Sequence, residues 1–202
     1  MSKYEPIAIG RVESLALNGK EVSSIRFNYD GPMGDNHSGR TRQLAGHDGT
    51  YLRTSKLVKG DPVMNWRTWT ALSREDVVAI EMELGADIPV GCLLENIIIS
   101  GIPNFSYLPP TTRLVFPQHD SCESKQAILA VWEENGPCKT VGKRLADLHD
   151  DATLTSKFVE AAYRRRGLMG FVLSGGYINE GDLVHAYSPA GAPKKQPTRV
   201  LT

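Results

Sequence analysis

Residues 7–29 are the stretch that most limits how this chain can fold. Ile7, Ile9, Val12, Leu15 and Leu17 space apolar side chains through an extended run, Asn18-Gly19 follows, and Val22 to Phe27 alternates again. A two-residue type I′ turn needs positive φ at both central positions, which Asn and Gly accept, so the spacing predicts an antiparallel hairpin. Further short apolar runs read as strands: Thr68–Leu72, the Ile97–Ile99 triplet, Arg113–Phe116, Gln126–Trp132, Leu168–Leu173 and Leu183–Tyr187. Ser73 with Asp76 three residues on, the stripe Val77, Ile80 and Leu84, and Gly85 beyond it predict a helix over 74–84. Thr155 caps a second predicted helix holding Phe158, Val159, Ala161 and Ala162. Its end is marked by Arg164-Arg165-Arg166, which complement the helix dipole, and by Gly167. Residues 50–65 indicate no element. There are no repeats and no linker. One domain over 1–188 is expected, with 189–202, rich in Pro, Gly and Lys, as a disordered tail.

The chain has 202 residues, enough to bury a substantial core in one domain. Lys plus Arg and Asp plus Glu stand at 23 each, so no net charge recruits nucleic acid or an anionic membrane. Cys92, Cys122 and Cys138 form neither a short-spaced pair nor a disulfide framework, which points to a reducing compartment. The N-terminus, Met1-Ser2-Lys3-Tyr4-Glu5-Pro6, shows no signal h-region, and no apolar run is long enough to span a bilayer. The expectation is a soluble cytoplasmic protein.

Three segments carry candidate chemistry. Cys138 follows Gly136-Pro137, and Val141, Leu145 and Leu148 recur behind it at helical spacing, although Gly142 weighs against a helix. A cysteine at a helix start, beside Lys139, Lys143 and Arg144, meets unpaired N–H groups and the positive dipole end, which favour a thiolate. Locally, a small buried side chain is still the commoner role for a free cysteine. Residues 30–42 are a Gly-rich polar loop in which Asp35, His37, Arg40 and Arg42 can meet an anion or a polar ring. A metal site from Asp35, His37 and His47 matches no compact zinc spacing. Glu95-Asn96 interrupts apolar runs. Strand alternation puts Glu95 on the face of Leu93 and Ile97, opposite Leu94 and Asn96. A buried carboxylate needs a partner, expected from N–H groups of the 30–42 loop or from Arg40, Arg42 or Arg166.

The order of these features resembles the MOSC domain, named for the C-terminal domain of molybdenum cofactor sulfurase. Gly34-Asp35-Asn36-His37-Ser38-Gly39 is similar to its early glycine-aspartate-x-histidine segment. Leu94 to Ile102, with Pro109-Pro110 and Arg113 after it, is similar to its glycine-glutamate-asparagine strand and following turn. Gly136-Pro137-Cys138 matches its proline-cysteine, and Arg166 to Gly176 with Glu180-Gly181-Asp182 matches its closing hairpin. The sequence departs in having Leu94 before glutamate-asparagine, and in Gly46-His47-Asp48-Gly49, a loose echo of a histidine-glycine-glycine stretch.

The resemblance implies a mainly β, barrel-like fold with a few peripheral helices. It implies that Cys138 carries sulfur or ligates the molybdenum of a pterin cofactor, at which relatives reduce N-hydroxylated compounds. Asp35, His37, Arg40, Arg42, Glu95, Asn96 and Arg166 would then bind that cofactor. The arginines suit its phosphate end, Asn96 the pterin edge and Glu95 the pterin N–H groups. The implied partners are a small-molecule substrate and a sulfur donor or electron-transfer protein. No aminotransferase-like domain with its pyridoxal phosphate lysine is visible, so sulfur would come from elsewhere. Two other readings stay open: a delivery module that passes sulfur or cofactor on without catalysis, and a metabolite-binding barrel with Cys138 inert.

Overall fold

The computed structural model describes residues 5–45, 53–117 and 126–189. The predicted tail beyond Pro189, His47 with its surrounding stretch, and Cys122 fall outside the described residues.

The hairpin forms and then divides. β1 (Ala8–Leu17) pairs with β2 (Lys20–Val22) through Leu17 opposite Lys20, and Asn18 and Gly19 between them take φ of 52° and 78°. β3 (Ser24–Asn28) leaves this sheet to pair with β4 (Gly31–Pro32) and β12 (Gly176–Asn179). β5 (Thr41–Gln43) and β6 (Pro62–Met64) make a separate two-stranded ribbon.

The main sheet closes on itself. β7 (Trp69–Ser73), β8 (Ile97–Ser100), β1, β13 (Leu183–Tyr187), β9 (Arg113–Phe116), β10 (Ala127–Glu134) and β11 (Leu168–Ser174) form a seven-stranded barrel, all antiparallel except β7 beside β8. Closure removes exposed sheet edges and gives the chain an interior to fill. A register shift against β8 between Val12 and Ser14 marks a bulge in β1. That extra residue lets Val12 and Leu15, an odd spacing apart, both turn inward. Ile7 and Ile9, ahead of the bulge, face solvent. Val12, Leu15, Phe27, Ile97, Ile99, Leu114, Phe116, Leu129 and Val184 belong to the barrel core.

A second apolar cluster sits between the barrel wall and three helices. α1 (Arg74–Leu84) starts at Ser73, whose hydroxyl accepts from the Asp76 N–H, and stops at Gly85 with φ 65°. α2 (Lys139–His149) begins directly after Cys138, and α3 (Leu154–Ala161) packs against it. Val77, Ile80, Val141, Leu145 and Phe158 meet Leu72 and Leu93 there. Gly142 lies inside α2 because a Cβ would stand 2.4 Å from the Thr155 carbonyl of α3. The close approach outweighs its poor helix propensity.

Two boundaries correct the sequence reading. α3 is preceded by Thr153, not capped by Thr155, and it stops at Ala161, so no basic residue lies in its last turn. The arginine run lies past the helix and separates into three roles. Arg164 lies over the Tyr163 ring, Arg165 pairs with Glu83 at 2.7 Å, and Arg166 is buried. Glu95-Asn96 is not strand either. The residues before β8 form turns, and Leu94 takes φ 58°. Alternation therefore does not place Glu95.

Candidate functional site

Cys138 sits at the N-cap of α2 in extended backbone (φ −136°, ψ 153°), and its side chain makes no cap hydrogen bond. First-turn N–H groups of a helix have no intrahelical partner, and the dipole is positive there. The thiol is exposed. It stands on the rim of a cavity of about 560 Å³ that is also lined by His37, Arg42, Asn96 and Arg166. Segments about a hundred residues apart in sequence thus meet at one place, joined by β7, β10 and β11 of the barrel wall.

Charge in this cavity has one sign. Arg42, Arg67 and Arg166 line it, and among the described residues no Asp or Glu does. Glu133, outside the lining, stands 3.8 Å from Arg67 Nε and offsets part of that charge. Arg166 is 5% exposed, and its Nη2 donates to the Leu93 carbonyl while Nε has no partner among the described residues. Burial holds its guanidinium below the usual arginine range, and the anionic forms of Cys138 and Glu95 act against that fall. The Trp69 indole N–H, 1% exposed in the barrel core, also lacks a partner among the described residues. Buried donors of this kind are expensive unless something accepts from them.

Asn96 is locked into the wall by its neighbours. Its Oδ1 accepts from the Thr70 N–H at 3.0 Å, and Nδ2 donates to Asp35 Oδ2 at 2.9 Å. Asp35 lies behind the cavity surface. It accepts from the His37 backbone N–H at 2.7 Å and faces His37 Nδ1 at 3.3 Å. Burial raises the Asp35 carboxyl, but hydrogen bonds from His37 and Asn96 outweigh it and bring it below its ordinary value. The Asp35 hydrogen bond raises His37 in turn, against burial.

Two candidates lie elsewhere. Arg40 does not reach this cavity; it pairs with Asp30 at 3.1 Å. Glu95 is 3% exposed and does not line it. Its Oε1 accepts from the Gly91 N–H, so its backbone partner comes from the adjoining turn and not from the 30–42 loop. Arg166 reaches Glu95 through charge alone. Burial pushes the Glu95 carboxyl up.

The sequence reading missed Asn65, Arg67, Trp69 and Asn135, all of which line the cavity. Asn135 was nearest to being found, since it immediately precedes Gly136-Pro137-Cys138. Arg67 lies just past a stretch that signals no element, and nothing local points to it. Among the described residues no three His, Cys, Asp or Glu side chains converge as a metal site.

Comparison with known proteins follows the same outline. The MOSC domain family model matches residues 59–185. A Bacillus subtilis (strain 168) protein named "Putative metal-sulfur cluster biosynthesis proteins YuaD" is 27% identical over 201 residues, 98% of this chain and 97% of its own. The crystal structure of YUAD from Bacillus subtilis superposes with a TM-score of 0.79 at 25% identity, covering 90% of this chain and 97% of that one. YiiM from Escherichia coli shares the fold at TM-score 0.52 and 15% identity, covering 90% of this chain and 72% of its own.

Proposed function

This chain belongs to the MOSC domain family, and from that premise we propose that the Cys138 cavity holds a molybdenum–pterin cofactor, with the Cys138 thiolate as the protein's ligand to the metal. One observation carries the reading: three arginines and an exposed thiol at a helix N-terminus line a single cavity, and among the described residues no Asp or Glu does. An anionic group there suits the buried guanidinium of Arg166, which lines the cavity. With no cluster of protein ligands among the described residues, a metal would take one soft donor from the chain and the rest from its own cofactor.

Such a cofactor, when bound, supplies two-electron redox chemistry, and reduction of N-hydroxylated small molecules is the reaction we assign to it. Arg42 and Arg67 neutralise its phosphate. Asn135 offers an amide to the pterin edge, while Asn96, its amide hydrogens taken by Asp35 and Ala16, shapes the wall behind it. His37, its Nδ1 turned toward Asp35, leaves Nε2 to hold a proton at the mouth. Cys138, being exposed, stays within reach of a small substrate or an electron-transfer protein in the cytoplasm.

The same exposure favours one other reading, in which Cys138 carries a persulfide from a sulfur donor to a partner. Cyanide releases thiocyanate from a persulfide, whereas acid oxidation of a bound pterin gives a fluorescent product. Protein purified from molybdenum-replete cells should yield the pterin product in near-stoichiometric amount and little thiocyanate. Thiocyanate without pterin would replace the cofactor reading with the carrier one.

A further inference from the structure

Tyr29, Trp66 and Phe171 come from three unconnected parts of the chain and converge, with Met64 and Arg40, on a second cleft of about 370 Å³. Phe171 points outward from β11, next to Val172 of the barrel core. Trp66 stacks on Trp132 with centroids 4.4 Å apart and meets Phe171 edge-on at 5.1 Å. Trp132 does not line the cleft, so the indole it backs presents another side to the space. The ring is therefore fixed before any ligand arrives, which reduces the ordering cost of binding.

Tyr29 and Met64 are 60% and 61% exposed around this concavity. Large apolar side chains gathered at one place, rather than scattered singly, mark a contact site. Arg40 with its Asp30 partner offers hydrogen-bond donors and an acceptor at the rim, without net charge. Asn65 lines both cavities. It is 6% exposed, and its Nδ2 donates to the His37 carbonyl at 2.9 Å. One fixed side chain thus stands between this cleft and the Cys138 cavity.

We infer that the cleft binds a planar one- or two-ring heteroaromatic group, seated against Trp66 and Tyr29 with its polar edge at Arg40, and that the rest of the same molecule reaches past Asn65 toward Cys138. The size is at the lower end for small-molecule sites and suits a ring system. Aromatic walls accept any π face in offset or edge geometry, and the hydrogen-bonding edge sets the choice among rings. The ring site stands on the cleft alone. The reach toward Cys138 rests on the reading of that cavity as a reaction centre.

Two measurements on the full chain test the two halves separately, and neither depends on metal or pterin content. In the first, purine and benzimidazole are titrated while the three indole N–H signals are followed by NMR, with cyclohexanol as the non-aromatic control. The Trp66 signal should shift saturably with a ring compound, at least tenfold more than with cyclohexanol. Tyr29→Ala, a surface change, should weaken the ring at least fivefold with the remaining spectrum intact. No saturable shift with either ring, an equal response to cyclohexanol, or self-association in sedimentation that Tyr29→Ala abolishes would overturn the ring site. In the second, a benzimidazole carrying a chloroacetamide on a short linker should alkylate Cys138 at least tenfold faster than chloroacetamide, and lose that advantage in Tyr29→Ala. Equal rates would overturn the shared occupancy and leave the ring site standing.

Discussion

Asn96 Nδ2 donates to Asp35 Oδ2 across 2.9 Å, tying the turn before β8 to the loop after β4. The same side chain accepts from the Thr70 N–H, so it completes the pairing that β8 has not yet begun. Asn96→Ala leaves these groups unpaired in a buried setting, at a cost of about 1–3 kcal/mol in urea unfolding. Asn96→Asp keeps the acceptor for Thr70 but sets a second carboxylate against Asp35, so one of the two has a raised pKa, and the deficit should shrink as pH falls through it and be smallest below about pH 4. A deficit independent of pH would contradict the contact.

His37 and Asp35 give a signed pH prediction. The Asp35 hydrogen bond raises His37, and Asp35 itself is lowered. The Asp35 contribution to stability is present above its ordinary carboxyl pKa and is lost as pH falls through its lowered one. The His37 contribution is full below about pH 6.5 and is lost as pH rises through its raised value. NMR titration should place the His37 midpoint above about 6.5, and Asp35→Asn should bring it back down. A midpoint unmoved by Asp35→Asn would rule out the coupling.

Glu95 behaves oppositely to a salt-bridged carboxylate. Burial raises it above its ordinary value, so its contribution is full below about pH 4.3 and is lost as pH rises through the raised pKa. Gln keeps an acceptor for the Gly91 N–H without the charge. The thermal stability of Glu95→Gln relative to wild type should therefore improve as pH rises from about 4 toward 8. A relative loss over that range would mean that Arg166 outweighs burial.

Leu94 takes left-handed backbone, at φ 58°, while its side chain packs on the second apolar cluster. A side chain there costs about 1–2 kcal/mol of backbone strain, and truncation to Ala removes packing without relieving it. Leu94→Gly should therefore be the more stable of the two variants by about 1 kcal/mol in urea unfolding, although it removes more atoms. Ala more stable than Gly would contradict the strain.

The hairpin, the 74–84 helix and most barrel strands were legible because each is specified locally: Asn18-Gly19 by φ, Ser73 by its cap, Ile97–Ile99 by burial. Leu94 and Glu95 were misplaced in a strand because apolar content does not distinguish a buried turn from a buried strand. Arg166 looked like a helix terminus because its partner, the Leu93 carbonyl, lies 73 residues away. Arg40 and Arg42 share a loop and a charge, yet they point into different cavities, a difference that backbone direction decides and residue type does not. Bringing Cys138, Asn96 and Arg42 together required the barrel to close, and closure has no local signature.

Molybdenum content tests the central claim most directly. Protein made in molybdenum-replete cells should carry close to one molybdenum per chain by inductively coupled plasma mass spectrometry, Cys138→Ala should carry far less, and Cys92→Ala should match wild type. Molybdenum at background in wild type, or retained in full by Cys138→Ala, would contradict Cys138 as the ligand that holds the metal in this cavity.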